Sequence, residues 1–145
     1  MEDIVIAPAD AGHIDSIPRI ELAAATRFSA TDLPLDVRYR VTEPESVRHA
    51  LERETLWVAT TEDDEAVGFA MADVMDDQAW LDEIDVLPVY WGRGIGTELV
   101  RTVLHWARSQ GAASAGAAPV WRAAGCDAAK RCRVAAAARS IPATP

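Results

Sequence analysis

The sequence has little cysteine, no long apolar run and no basic N-terminal segment. Its two cysteines, Cys126 and Cys132, lack the CxxC and Cys/His spacings of metal sites and redox pairs, so we expect free thiols in a reducing compartment. No stretch approaches the roughly 20 apolar residues that cross a bilayer. Residues 1–4 are acidic where a secretory signal is basic. These absences predict a cytoplasmic protein without a bound metal, a membrane partner or an export signal.

Basic residues are scarce in most of the chain. Residues 1–111 hold 22 acidic and 9 basic residues, whereas residues 112–145 hold one acidic and five basic residues. An acidic body repels phosphate backbones, so nucleic acid is not expected as a partner. The same charge attracts cationic amines, although a net charge of −9 also simply keeps a protein in solution. The length of 145 residues suits a single hydrophobic core.

The first third of the chain predicts one strand and two helices. Residues 3–8 form a short β pattern that ends at a proline. Apolar residues at near-helical spacing predict a helix over residues 10–28, which Pro18 should break or kink. Residues 29–40 are assigned to a loop. The T-x-x-E pattern of Thr42 and Glu45 then predicts a capping box and a second helix, which runs to about residue 54.

The middle of the chain predicts three strands followed by a long helix. Residues 56–60 and 66–72 flank an acidic turn and indicate an antiparallel hairpin, and residues 79–87 give the third strand. Over residues 94–110 an apolar residue recurs every four positions, and Gly111 is placed to end this helix. The predicted inner positions are Ile95, Leu99, Val103 and Ala107, and the outer ones are Glu98, Arg101, His105 and Arg108.

A glycine-rich segment joins the third strand to this helix. Gly92, Gly94 and Gly96 alternate just before and within its first turn. Glycines let a ligand approach the backbone closely, and a helix N-terminus offers unpaired amides and a positive dipole end. These features favour a pyrophosphate site, to which Arg93 adds a charged donor. A dinucleotide fingerprint requires G-x-G-x-x-G after an early strand, and a P-loop requires a lysine before Ser/Thr; neither pattern fits.

The pattern V-x-P-x-Y-x-G-x-G-I-G resembles the coenzyme A-binding motif of the GCN5-related N-acetyltransferases (GNAT), usually written Q/R-x-x-G-x-G/A. The order of elements over residues 3–110 resembles that family as well. The resemblance implies an α/β (α+β) fold with a mixed, mostly antiparallel sheet flanked by helices, and acetyl-CoA as co-substrate. Trp91 departs from the motif, because it stands where the family has Gln or Arg. The implied coenzyme contacts are Ile84, Asp85 and Val86 through their backbone, and Gly92, Arg93, Gly94, Ile95, Gly96 and Thr97 at the pyrophosphate.

Two acids on the third strand are the candidate catalytic residues. Asp82 and Glu83 precede the implied coenzyme contacts, and they resemble the acidic pair that polyamine acetyltransferases carry on the same strand. A carboxylate there can deprotonate an attacking amine, and the resemblance implies that the Val86 amide stabilises the thioester oxygen. Strand alternation places the two acids on opposite faces and favours Glu83, which shares a face with Asp85, although a bulge would change this choice. The alternative is that both are solvated acids on a strand edge.

The last part of the chain does not resemble the family. Residues 112–145 contain 14 alanines, and no Tyr, Phe or Asn follows Tyr90, so the family's tyrosine acid and last strands are missing or altered. We therefore divide the chain into an acetyl-CoA-binding domain over residues 1–111 and an atypical, poorly ordered segment over residues 112–145. Out-of-frame translation of a GC-rich gene is one interpretation of this segment.

The sequence thus predicts an N-acetyltransferase that moves an acetyl group from acetyl-CoA to a primary amine of a small molecule or peptide. A catalytically weak or inactive acetyl-CoA-binding domain is the alternative, and an unstable truncated product is a third. The resemblance also admits a homodimer, because members of the family often dimerise.

Overall fold

The computed structural model of the protein describes residues 3–25, 41–75, 78–109 and 132–133, which form an antiparallel sheet with helices on both faces. The strands follow one another across the sheet in chain order, and each is antiparallel to its neighbour. The predicted α/β class with a mostly antiparallel sheet is confirmed. The strands are Val5–Pro8 (β1), Leu56–Thr60 (β2), Ala66–Met75 (β3), Gln78–Val86 (β4) and Cys132–Arg133 (β5). The helices are Ser16–Ala24 (α1), Pro44–Glu52 (α2) and Ile95–Ser109 (α3).

Helix α3 covers one face of the sheet. Its predicted inner residues Ile95, Leu99, Val103 and Ala107 are all buried, as is Leu104. They pack on side chains from β2, β3 and β4, and the rings of Trp57 and Trp106 meet edge to face with centroids 5.6 Å apart. The four predicted outer residues are exposed. The amphipathic pattern therefore identified both the helix and the face that it buries.

Helices α1 and α2 cover the opposite face. Ile17, Ile20 and Val47 pack there on sheet residues that include Phe69. Helix α1 follows a separate 3-10 turn, Ala11–His13. The predicted helix over residues 10–28 is wrong at its start, but the break predicted at Pro18 is present: α1 begins at Ser16, and Pro18 lies in its first turn, where an N–H has no intrahelical partner to lose.

The predicted capping box at Thr42 is also wrong. Glu43 takes the N-cap position of α2 and its side chain makes no capping bond. The amide of Thr42 instead donates to both carboxylate oxygens of Glu21, at 3.1 and 2.9 Å, and the Thr42 hydroxyl donates to one of them at 2.9 Å. The Glu21 carboxylate on α1 thus accepts the amide that the Glu45 carboxylate would accept in a capping box. Thr42 therefore ties the start of α2 to α1.

Several predictions fall outside the described residues. They concern the loop over residues 29–40, the C-cap at Gly111, Cys126 and the boundary between residues 111 and 112. The two residues of β5 pair with Trp80 and Leu81 of β4. No helix in the described ranges is long and apolar enough to cross a membrane.

Candidate active site

The pairing of β3 with β4 decides which backbone groups face the outer edge of β4. Gly68 pairs with Val86, and the amide of Leu87 donates to the carbonyl oxygen of Val67 at 2.8 Å. This bond flanks the Gly68–Val86 pair, so the pair itself is of the type without hydrogen bonds between its members. The N–H and C=O groups of Val86 therefore point away from β3.

The same geometry repeats every second residue along β4. Ile84, two residues before Val86, also directs its N–H and C=O groups outward, whereas Asp85 bonds through its main chain to Phe69 of β3. Within the described ranges, β5 covers the outer edge of β4 only beside Trp80 and Leu81. Of the three predicted backbone contacts, Ile84 and Val86 are thus the two whose amides and carbonyls face the edge.

A β-bulge interrupts β4 at Asp82. Met71 pairs with Glu83 and Ala72 pairs with Leu81, which leaves Asp82 as the extra residue. Leu81 packs in the core beneath α3. Glu83 pairs with Met71 and so faces α1 and α2, and Asp82 lines a cleft beside α2. The prediction that the two acids point to opposite faces is wrong, because the bulge breaks the alternation on which it rested.

Glu83 belongs to a cluster of three carboxylates, the acidic cluster Glu21, Glu83 and Asp85. Their oxygens lie within 4.8 Å of one another. Glu21 and Glu83 are only 5% and 9% exposed, and Thr42 fixes the carboxylate of Glu21. Carboxylates so close together repel one another, and a cation beside them is strongly stabilised. The cluster therefore favours a cationic group, an ammonium or a metal ion, over a neutral one.

A cleft of about 240 Å³ lies between α2, β3 and β4 and is called the α2 cleft. Asp82 lies in its wall at the bulge. Arg53 also lines the cleft, but Asp73 pairs with its guanidinium at 2.9 Å. A small molecule in the cleft would thus lie beside Asp82. The acidic residues that line the cleft outnumber its arginine. Its other lining residues are Glu45, Ser46, His49, Ala50, Thr55, Met71 and Ala72.

The segment that follows β4 forms the glycine loop, residues 92–97. Gly92 and Gly94 have φ angles of 79° and 81°, in the left-handed region that only glycine adopts readily. A Cβ atom added at Gly92, Gly94 or Gly96 would meet no protein atom within 4 Å. The amide of Glu98 makes the first intrahelical bond of α3, to Gly94 at 3.0 Å, so the amides before it have no partner within the helix. The loop offers open space, bare backbone and the positive end of a helix.

Two larger side chains of this region fold back onto the protein. The indole N–H of Trp91 donates to the carbonyl oxygen of Val86 at 2.7 Å. The guanidinium of Arg93 lies over the ring of Tyr90, 5.0 Å from its centroid. Arg93 remains exposed. The residue that departs from the motif thus contacts the end of the strand predicted to hold the coenzyme.

The structure brings the predicted site residues to one end of the sheet. The acids of β4 and the outward backbone of Ile84 and Val86 lie on one strand, which the 3-10 turn Pro88–Tyr90 connects to the glycine loop. Glu21 is a member of the acidic cluster that sequence reasoning missed. Its signal was weak: an acid four residues after Ile17, on the stripe of α1 that the fold buries.

Comparison with known proteins identifies the family of this fold and site. The sequence model of the acetyltransferase (GNAT) family matches residues 21–125. The match covers more than half of the chain and extends past residue 111, so the protein belongs to the GNAT family. No curated protein sequence matches the chain.

Solved structures share the fold at low sequence identity. The PaiA N-acetyltransferase of Thermoplasma acidophilum, in complex with coenzyme A, has a TM-score of 0.64 and 15% identity, over 75% of this chain and 74% of that one. A GNAT acetyltransferase of Staphylococcus aureus Mu50 has a TM-score of 0.61 and 15% identity, over 77% and 70%. The ribosomal-protein-S18-alanine N-acetyltransferase of Escherichia coli has a TM-score of 0.57 and 18% identity, over 77% and 63%.

Proposed function

We propose that the protein transfers the acetyl group of acetyl-CoA to a primary amine of a small molecule or peptide. The observation that carries this proposal is that the outer edge of β4 leads, through one short 3-10 turn, to the glycine loop. Membership of the GNAT family supports the same chemistry, as does the coenzyme A in the Thermoplasma acidophilum structure of the same fold.

In this proposal the coenzyme lies along β4 and across the glycine loop. The amides of its pantetheine arm pair with the outward backbone groups of Ile84 and the outward carbonyl oxygen of Val86, as an added strand would, which leaves the Val86 amide for the thioester. Its pyrophosphate accepts bonds from the amides of Ile95, Gly96 and Thr97 at the start of α3. The open space at the three glycines supports this placement, because a phosphate needs close approach to the main chain.

The acids of β4 bind the amine and take its proton. A primary amine with a pKa of about 10.4 is a cation at neutral pH, and the acidic cluster attracts it in that form. Glu83, with Asp82 as the other candidate, takes the proton that frees the nitrogen lone pair. The nitrogen attacks the thioester carbon while the outward amide of Val86 donates to its oxygen. The carbon–sulfur bond then breaks, the nitrogen gives up its second proton to become an amide, and the coenzyme A thiolate takes up a proton to leave as the thiol.

The test combines binding and turnover on the same sample. Millimolar acetyl-CoA should raise the melting temperature by several degrees, because a ligand that binds only the native state stabilises it. Thiol release is then followed with a panel that contains polyamines, amino acids and short peptides with free N-termini. A folded protein whose melting temperature does not respond to acetyl-CoA would refute the proposal.

A second function, acetyl-CoA binding without turnover, is favoured by one feature of the sequence. No tyrosine follows Tyr90, so the proton donor that the family resemblance places after the pyrophosphate helix has no counterpart there. A ligand-induced shift in melting temperature without thiol release from any amine of the panel would establish this second function. Thiol release with a single amine would exclude it.

A further inference from the structure

Trp91 occupies the edge of β4 that the proposed coenzyme site requires. Its indole N–H donates to the carbonyl oxygen of Val86 at 2.7 Å. Val86 directs this carbonyl away from β3, to the edge where a pantetheine amide would pair. The Trp91 indole and a pantetheine amide of the proposed ligand therefore compete for the same carbonyl oxygen.

The position of Trp91 allows it to leave. The side chain is 39% exposed and is not among the residues that form either hydrophobic core. It stands between the 3-10 turn Pro88–Tyr90 and Gly92, whose left-handed backbone is one that glycine adopts without strain. When the indole withdraws, its N–H therefore exchanges the bond to Val86 for one to water at the surface. The packing of α3 on the sheet stays intact.

We propose that Trp91 is a positioning residue that closes the pantetheine edge of β4 in the free protein and withdraws from Val86 when acetyl-CoA binds. This inference rests on the proposed function. Only molecules with an open edge can bind acetyl-CoA. The apparent affinity is therefore the affinity of the open form multiplied by the fraction of molecules that are open. Because the hydrogen bond from the Trp91 indole to Val86 stabilises the closed form, removal of the donor should tighten acetyl-CoA binding about fivefold.

The test compares wild type with Trp91→Phe, which keeps an aromatic ring and loses the N–H donor. Val89→Ala is the matched control, since Val89 is 75% exposed in the same segment. Affinities are measured by calorimetry for acetyl-CoA and for adenosine 3′,5′-bisphosphate, which carries phosphates and lacks the pantetheine arm. The expected result is a gain of about fivefold for Trp91→Phe with acetyl-CoA, no gain with the bisphosphate, and no change for Val89→Ala.

Tryptophan fluorescence gives a second measurement on the unmodified protein. Acetyl-CoA should change the emission of wild type as the Trp91 indole leaves Val86, and this part of the change should be missing in Trp91→Phe. Equal or weaker acetyl-CoA binding by Trp91→Phe, or the same gain for both ligands, would overturn the inference while the proposed function stands. Absence of acetyl-CoA binding in wild type and both variants would overturn the proposed function and the inference with it.

Discussion

Replacement of Gly96 by alanine should stabilise the free protein, and replacement by a larger side chain should weaken the binding of acetyl-CoA. Gly96 is the second residue of α3, and a Cβ there meets no protein atom within 4 Å. Its φ angle is not in the left-handed region, so alanine adopts the native backbone without strain. Glycine costs about 0.5–1 kcal/mol relative to alanine in a helix. Gly96→Ala should therefore raise the melting temperature of the free protein by about 1–4 °C.

The family motif admits alanine at this position, but a larger side chain should oppose the coenzyme. In the proposed complex the space at Gly96 belongs to the pyrophosphate, so the side chain of Gly96→Leu would push the phosphate away from the helix amides. The loss of one charge-assisted hydrogen bond costs about 1.5–3 kcal/mol, which is a factor of ten or more in the dissociation constant. The stabilisation by a fixed, saturating concentration of acetyl-CoA should fall by the same amount.

The assay is a pair of thermal melts, with and without acetyl-CoA, supported by calorimetric titration. His105→Ala is the control, because it also raises helix propensity in α3 but lies on the exposed outer face. It should stabilise the protein and leave the ligand-induced shift unchanged. Gly96→Ala should keep the ligand-induced shift, whereas Gly96→Leu should reduce it. If Gly96→Leu keeps the full shift, no phosphate approaches Gly96 and the assignment of the glycine loop is wrong.

Three further predictions test the site and the fold. Glu83→Gln should lower kcat about 100-fold or more without changing the affinity for acetyl-CoA; a loss confined to Asp82→Asn would assign the base to Asp82 instead. His13→Ala should lower the free energy of unfolding by about 1–3 kcal/mol, because His13 is 7% exposed and bonds the Asp10 amide and the Asp64 carboxylate; an unchanged urea midpoint would contradict this. Turnover should survive EDTA, and activity lost to EDTA and restored by a divalent cation would show that the expectation of a metal-free site is wrong.

The elements that local patterns specify were the ones that the sequence predicted well. The four-residue apolar repeat of α3 gave its bounds to within a residue, and the acidic turn at residues 62–65 located the β2–β3 hairpin. In both cases neighbouring residues in the chain decide the outcome. The alternating glycines likewise indicated the loop whose positive φ angles the structure contains.

The features that were missed depend on contacts between distant residues. The box at Thr42 satisfied every local rule, yet the carboxylate of Glu21 across the fold bonded Thr42 instead. The bulge at Asp82 leaves a trace in the sequence. Leu81 is out of phase with Ile84 and Val86 along a regular strand, yet all three pack against the α3 core. Only an extra residue between them reconciles their positions.

This extra residue makes position 82 a place where β4 can change without moving its neighbours. Deletion of Asp82 would remove the bulge and leave Leu81 opposite Ala72 and Glu83 opposite Met71, each on its present face. The pairing of β3 with β4 therefore does not depend on the residue at position 82. A change of acceptor specificity can begin there at little cost to the fold.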